Sequence, residues 1–290
     1  MSTLVRYISE DGGIVCTALD STEIVSRAEY FHKTSAVVTA AIGRLATAAA
    51  IMGSQLKDED DSVTVRIAGD GPMGTAIAVS DSSGNPRVCV QNNIVELPLN
   101  QYGKLDVKGA VGTNGYLQVI KDIGMKEPYM GQIPIVSGEI AEDITSYYAT
   151  SEQLPTVCAL GVLVNPNLSV QAAGGYLLQL MPGATDEEIE HIESNMKDMP
   201  AISAMFAQGA TPHDVCKKVM QGFAPQLLDE TQVEYKCNCS RERIERALIS
   251  LGAQELEKMA QEQPKTQVSC HFCNKIYNFN SDEIRSLINN

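Results

Sequence analysis

Short apolar stretches with a period of two, separated by turn residues, recur through the first two thirds of the chain. Alternation of this kind is typical of strands that bury one face. The alternation is clearest at 62–67, and 75–79, 87–90 and 115–120 also predict strands. Residues 156–164 and 169–181 are apolar runs that look like strands as well. Gly- and Asp-rich turns join the first three, which indicates a β-meander. The whole pattern predicts an α+β domain with an antiparallel sheet, ending near Pro182.

Two longer stretches predict helices within this domain. Residues 36–55 consist mainly of Ala, Leu, Ile and Met, and they follow Thr34 and Ser35, either of which can cap a helix. The stretch approaches the length of a membrane span, but Arg44 near its centre costs about 2.5 to 3.5 kcal/mol on insertion. A buried helix of a soluble protein is therefore favoured over a membrane segment. Residues 137–151 predict the second helix.

From Ala184 the pattern changes to polar helices with a narrow apolar stripe. Thr185 and Glu188 form a capping box, and a later helix begins with Pro212 in its first position and ends at Gly222. The predicted organisation is a core domain at 1–182, a helical linker at 183–232 and a small C-terminal module at 233–290.

The C-terminal module contains four of the eight cysteines in two tight pairs. Cys237 and Cys239 form a C-x-C, and Cys270 and Cys273 form a C-x-x-C. Two such pairs match the ligands of a closed, tetrahedral Zn(Cys)4 site, and in a reducing cytosol paired cysteines more often bind metal or perform redox chemistry than form permanent disulfides. The four thiols fill such a site, so His271 is predicted to be a surface residue.

The spacer between the two pairs is predicted to fold. Ser240 caps a helix that ends at Gly252, residues 268–279 form a small hairpin-like cluster, and Ser281 caps a final short helix. Closing a loop of about thirty residues costs roughly 3 kcal/mol. Structural zinc supplies on the order of 10 to 16 kcal/mol in small peptides. Without metal the module is therefore expected to be wholly or largely unfolded.

Oxidation gives the same thiols a second possible use. A thiolate converted to a disulfide or sulfenic acid is a poor zinc ligand, and the nearest partners are Cys237 with Cys239 and Cys270 with Cys273. Such bridges close tiny loops and do not replace the long-range tie of a metal. A reversible folding switch is consistent with this chemistry, although spacing alone favours a permanent structural zinc. A thioredoxin-like oxidoreductase and a catalytic zinc fit the pattern less well.

The remaining candidates for chemistry give weaker signals. Cys16, Cys89, Cys158 and Cys216 lie among apolar neighbours without paired spacing, so they are expected to be buried and inert. Residues 69–74 (GDGPMG) lack the Gly-Lys-Ser/Thr ending of a phosphate loop and predict a tight turn. The four histidines suggest no catalytic trio, so the chain is predicted not to be an enzyme.

Charge limits the classes of partner. The formal net charge is −14, and residues 1–232 hold 14 Lys and Arg against 28 Asp and Glu. An acidic surface repels phosphate backbones, so nucleic acid is not an expected partner. Arg6, Glu10 and Asp11 interrupt the apolar residues of the N-terminus, which excludes the core of a secretory signal there and favours a cytoplasmic protein.

Six stretches of the sequence together carry a family resemblance. They are 69–74 (GDGPMG), 138–143 (GEIAED), 151–155 (SEQLP), 174–179 (GGYLLQ), 237–242 (CNCSRE) and 270–273 (CHFC). In this combination the chain resembles the bacterial redox-regulated chaperones of the heat-shock protein thirty-three family, and the similarity covers nearly its whole length.

The resemblance implies an ATP-independent cytoplasmic holdase that is inactive while reduced, with one zinc ion on Cys237, Cys239, Cys270 and Cys273. It further implies that oxidants, often with heat, form the disulfides Cys237 with Cys239 and Cys270 with Cys273. Zinc is then released, the C-terminal module and linker unfold, and an active homodimer binds unfolding client proteins. The alternatives are a constitutive zinc-stabilised binding or regulatory module and a thiol oxidoreductase.

Overall fold

The computed structural model describes residues 1–197 and 199–288, which form two compact units, one from Met1 to Lys236 and a smaller one from Cys237 onward. The elements of the first unit are β1 (Ser2–Ile8), β2 (Ile14–Asp20), α1 (Thr22–His32), α2 (Ala36–Gly53), β3 (Ser62–Gly69), β4 (Thr75–Asp81), β5 (Pro86–Val90), α3 (Val107–Val111), β6 (Gly115–Asp122), β7 (Tyr129–Pro134), α4 (Ala141–Tyr147), a π-helical turn (Tyr148–Glu152), β8 (Thr156–Val164), β9 (Val170–Leu180), α5 (Asp186–Lys197), α6 (Ile202–Ala207), α7 (Pro212–Val219) and β10 (Gln226–Val233).

The strands of the first unit form two antiparallel sheets. The first sheet has the order β10-β1-β2-β9-β8, and the second has the order β5-β4-β3-β6-β7. The α+β class and the β3-β4-β5 meander predicted from the sequence are confirmed. The prediction of one sheet was incomplete, because a period of two shows which residues form strands but not which strands pair.

Helix α2 lies in the core shared by both sheets. Among the described residues it is the helix with the length and hydropathy of a membrane span, and 89% of that span is buried inside the protein. The predicted buried helix is therefore confirmed, and Arg44 near its middle binds the Glu139 carboxylate at 2.6 Å. Ser35 is the N-cap residue, as predicted, but its hydroxyl donates to the Val95 carbonyl at 2.8 Å and makes no capping bond to the helix.

Helices α5, α6 and α7 cover the face of the first sheet opposite α2. Ile192, Met205, Phe206 and Val215 are buried there against apolar side chains of β1, β2 and β9. The capping box at the start of α5 is confirmed, and α7 begins with a second one, in which Thr211 and Asp214 are paired. The segment after Pro182 is thus packed as a third layer on the sheet.

The segment 183–232 is not helical throughout, contrary to the prediction. Residues 226–233 form the edge strand β10, which pairs with β1 and is fastened by an ion pair between Arg6 and Asp229 at 2.7 Å. Leu227 and Leu228 remain about half exposed, so this strand lacks the alternation that makes a strand visible in a sequence. Its conformation depends on main-chain pairing with β1.

A buried carboxylate organises the turn between β7 and α4. Asp143 is fully buried and accepts hydrogen bonds from four main-chain amides at 2.7 to 3.1 Å. The donors are the amides of Val136, Ser137, Gly138 and Ile140. Ile140 has a φ of 70°, a conformation that β-branched residues rarely adopt, so the turn needs this external support. The stretch 138–143 therefore has a structural role.

Replacing Asp143 with Ala should destabilise the first unit by about 3 kcal/mol or more, because several buried amides lose their acceptor. Asp143→Asn is the matched control, since it retains one acceptor oxygen and should lose less. The measurement is hydrogen exchange of the amides in β6 and β8 at increasing urea concentration, which gives the midpoint of unfolding. A wild-type midpoint for Asp143→Ala would contradict the structural role of the carboxylate.

Candidate metal centre

The second unit is a small fold around a short apolar core. Its elements are α8 (Arg241–Ile249), α9 (Ala253–Glu262), β11 (Lys265–Ser269), β12 (Ile276–Asn280) and α10 (Ser281–Ile288). Leu248, Leu256, Phe279 and Ile284 form the centre of its core, and the cysteines pack at its edge. The predicted hairpin is confirmed as the antiparallel pair of β11 and β12.

Two details of the predicted helices were wrong. The spacer contains two helices, and Gly252 is the residue from which α9 starts, whereas α8 already ends at Ile249. The final helix is capped by Asn280, whose side chain accepts from the Glu283 amide at 2.8 Å, and Ser281 is its first residue. Neighbouring Ser and Asn residues are both good caps, so sequence alone does not rank them.

Each cysteine pair lies in a loop that an adjoining element holds in shape. Cys237 and Cys239 precede α8, whose predicted cap is confirmed, because the Ser240 hydroxyl accepts from the Arg243 amide at 3.3 Å. Cys270 and Cys273 occupy the turn between β11 and β12. The Cys270 amide donates to the Lys275 carbonyl at 3.0 Å, and the Asn274 amide donates back to the Cys270 carbonyl at 2.8 Å.

The fold brings all four sulfurs together. They lie within 4.8 Å of one another, and two separations across the motifs are shorter: 3.7 Å between Cys237 and Cys270, and 3.5 Å between Cys239 and Cys273. Four thiolates around one zinc ion at about 2.3 Å would be about 3.8 Å apart in tetrahedral geometry. The cluster can therefore hold a metal ion with small adjustments of the side chains.

The thiols are not chemically equivalent before a metal binds. Burial raises the pKa of Cys237 and of Cys273 above the ordinary value. Burial acts in the same direction on Cys239, but hydrogen bonds outweigh it and lower the pKa of that thiol, the largest coming from the Tyr277 hydroxyl at 3.1 Å. Tyr277 thus stabilises negative charge on a sulfur, which favours the thiolate form that a metal requires.

Arg241 fixes the loop of the first cysteine pair to the rest of the unit. Its guanidinium lies 4.2 Å from the centre of the Phe279 ring, donates to the Asn278 carbonyl at 3.0 Å and pairs with Glu283 at 2.8 Å. The sequence did not indicate this role, because these three partners lie about forty positions away. Locally, Arg241 follows Cys239 by two residues and pairs with Glu245 one helical turn later at 3.1 Å.

The other candidate residues lie outside the thiol cluster. His271 is exposed and is not among the clustered ligands, as the sequence predicted. The predicted burial is confirmed for Cys16 and Cys216, which are fully buried, and is wrong for Cys89 and Cys158, which are half-buried. The first unit brings Cys16 and Cys216 into contact, which their separation in sequence did not suggest.

Comparison with known proteins gives one consistent result. A family model described as Hsp33 protein matches residues 2–280. The chain is 46% identical over 285 residues to the 33 kDa chaperonin of Acetivibrio thermocellus, covering 98% of this chain and 96% of that protein. It is 43% identical over 287 residues to the 33 kDa chaperonin of Bacillus licheniformis, covering 99% of each.

A solved structure agrees with these relatives. The crystal structure of the 33 kDa chaperonin from Thermotoga maritima, a heat shock protein 33 homolog, matches with a TM-score of 0.91 and 37% identity, covering 99% of this chain and 97% of that one. The resemblance inferred from the sequence motifs is confirmed, and the chain belongs to the Hsp33 family.

Proposed function

We propose that this protein is a redox-regulated, ATP-independent holdase chaperone, and that it is not an enzyme. The observation that supports this most directly is a cluster of four thiols within 4.8 Å, in a chain whose relatives are named chaperonins. In the reduced protein, Cys237, Cys239, Cys270 and Cys273 would bind one zinc ion. In that state the protein would hold no clients.

The donor set supports zinc as the metal. Four thiolates in a tetrahedral arrangement suit zinc or an iron–sulfur cluster, and a single ion fits sulfurs as close as 3.5 Å. When bound, zinc would supply a long-range tie without redox chemistry of its own. The residues of this chain do the rest: Tyr277 and burial set the charge on the sulfurs, and Arg241 holds the first loop in place.

The disulfide pairing determines whether oxidation opens the second unit. The pairing that we propose, Cys237 with Cys239 and Cys270 with Cys273, leaves the two loops unconnected after the metal is lost. The pairing of Cys237 with Cys270 and Cys239 with Cys273 would keep the loops joined and the unit closed. The short separations across the motifs do not favour the second pairing, because all sulfurs around a tetrahedral ion are near one another.

We propose a division of labour among three segments. The module predicted at 233–290, whose compact unit begins at Cys237, acts as the redox switch. Residues 183–232 act as the linker that unfolds upon activation with oxidant and heat, and 1–182 remain folded as the core. Met196, Met199, Met205 and Met220 in the linker suit varied apolar partners, because unbranched thioether side chains adapt their shape. The active form would be a cytoplasmic homodimer that binds unfolding proteins and neither nucleic acid nor membrane.

Activation should require both oxidation and zinc loss. Protein oxidised with hydrogen peroxide or hypochlorite at elevated temperature should suppress aggregation of a thermally unfolding client, measured by light scattering. The reduced, zinc-loaded protein should not. Equal activity of the two samples would instead support a constitutive binding module. Turnover of a small disulfide substrate would support the oxidoreductase alternative.

Metal removal should unfold the second unit alone. Chelation under reducing conditions should raise hydrogen exchange throughout α8, α9 and α10, since the tie between the two loops is lost. Exchange in β2 and β9 is the internal control and should stay unchanged. A chelated protein with protected helices in the second unit would show that the metal is dispensable for its folding.

The pairing itself can be mapped. After oxidation, proteolysis between Cys239 and Cys270 without reductant should separate the two cysteine pairs into peptides that are not linked to each other. Cys237→Ser should still form the bridge between Cys270 and Cys273. Peptides that link the two motifs would contradict the proposed opening.

A further inference from the structure

A second pair of cysteines meets inside the first unit. Cys16 lies on β2 and Cys216 lies on α7, and both are fully buried. The Cys216 thiol donates to the main-chain carbonyl of Cys16 at 3.7 Å, across 200 positions of sequence. These residues join the first sheet to the helical layer that we assign to the linker.

The packing of α7 fixes the register of this pair. Tyr7 lies directly opposite Cys16 in the ladder of β1 and β2. His213 lies one helical turn before Cys216, and its Nδ1 is 2.9 Å from the Tyr7 hydroxyl. Two neighbouring side chains of the helix therefore meet two neighbouring side chains of the sheet, which holds Cys216 over Cys16.

We propose that Cys16 and Cys216 are a second redox site, at which oxidation by a peroxide bonds α7 covalently to β2 and holds the linker on the sheet. This site would oppose activation, whereas the four-thiol cluster would promote it. The formation of the bond stands on the geometry of the first unit, and only its effect on client binding rests on the proposed function.

Burial controls access to this site. An oxidant reaches neither sulfur while α7 is packed on the sheet, because both side chains are fully buried. Contact with the Cys216 thiol, together with burial, raises the pKa of Cys16 well above its ordinary value, so Cys16 is also disfavoured as a thiolate while α7 is packed. Oxidation therefore requires a brief opening of α7.

The reaction balances with one peroxide for each bridge. When α7 opens, the Cys216 thiolate attacks a peroxide oxygen, the O–O bond breaks, and sulfenic acid and one water result. When α7 packs again, the sulfur of Cys16 attacks the sulfenic sulfur, the S–O bond breaks and a second water leaves. The two thiol protons end on the waters, and the two electrons have reduced the peroxide.

The test is peptide mapping of the full-length, zinc-loaded protein after hydrogen peroxide treatment. Blocking the remaining thiols and digesting without reductant should yield a peptide pair that links Cys16 to Cys216 and separates upon reduction. The pair should be absent in Cys16→Ala and present in the matched control Cys158→Ala. Recovery of Cys16 and Cys216 unlinked, in protein whose Cys270 and Cys273 have reacted, would overturn the proposal. Linkage between two chains would overturn it as well.

The requirement that α7 opens is tested by the rate at which the linked peptide pair forms. Thr211→Ala removes the cap of α7 and should speed formation of the linked pair about fivefold, because cap loss favours the open helix. Asp106→Ala, which removes the cap of α3, is the control and should leave the rate unchanged. An unchanged rate in Thr211→Ala would overturn the requirement for opening.

Two further measurements distinguish the formation of the Cys16–Cys216 disulfide from its effect on client binding. In the linked protein, hydrogen exchange in α7 should be slower by roughly tenfold or more, since the bridge restrains the opened chain. After the same oxidation, Cys216→Ala should suppress client aggregation at a lower molar ratio than wild type. The linked peptide can form in the wild type even if neither the wild type nor Cys216→Ala binds clients. In that case the proposed function fails and the redox site stands.

Discussion

The second unit brings together two short loops whose cysteines lie 33 positions apart, and we propose that its fold depends on a link between them. Its apolar core is small, and much of the surface of α8 and α9 is exposed. A domain of this size rarely gains enough from its core to offset the entropy of ordering its chain, so a cross-link of some kind is needed. Four converging sulfurs provide the place for that cross-link. The proposed sensing follows from the same arrangement, because the groups proposed to hold the fold together are thiols, which oxidants can modify.

The sequence predicted elements well where one periodic pattern coincided with one buried surface. Helix α2 and the strands of the meander are examples, since their apolar residues are set by the core on which they pack. Prediction failed where the deciding interaction lies elsewhere in the chain. Strand β10 exposes Leu227 and Leu228 and is defined by pairing with β1. The side chain of Ser35, at the N-cap of α2, bonds the Val95 carbonyl instead of a helix amide. No local sequence pattern indicates that β10 pairs with β1 or that Ser35 binds the Val95 carbonyl.

At the candidate site, too, local patterns were visible in the sequence and distant partners were not. The four cysteines were identified because metal-ligand spacing is local, and the structure brings their sulfurs within 4.8 Å. Arg241 and Tyr277 were not assigned roles, although one holds a loop and the other donates to Cys239. The contact of Cys16 with Cys216 also escaped notice, since it exists only after α7 packs on the first sheet. Spacing thus reveals candidate ligands, whereas the groups that position them become visible only in the fold.

The chain directly before the metal centre is anchored to the first unit. The Glu234 amide donates to the Asn85 side chain at 3.0 Å, and the Lys236 amide donates to the Pro86 carbonyl at 3.1 Å. Neither contact involves a thiol, so neither would depend on a metal bound by the four cysteines. Unfolding of one element affects a neighbouring element only if it changes an interaction between the two. If the second unit unfolds as proposed, the unfolding should therefore stop at Lys236. The proposed release of the linker helices would then require a separate input, such as heat acting on their interface with the first sheet.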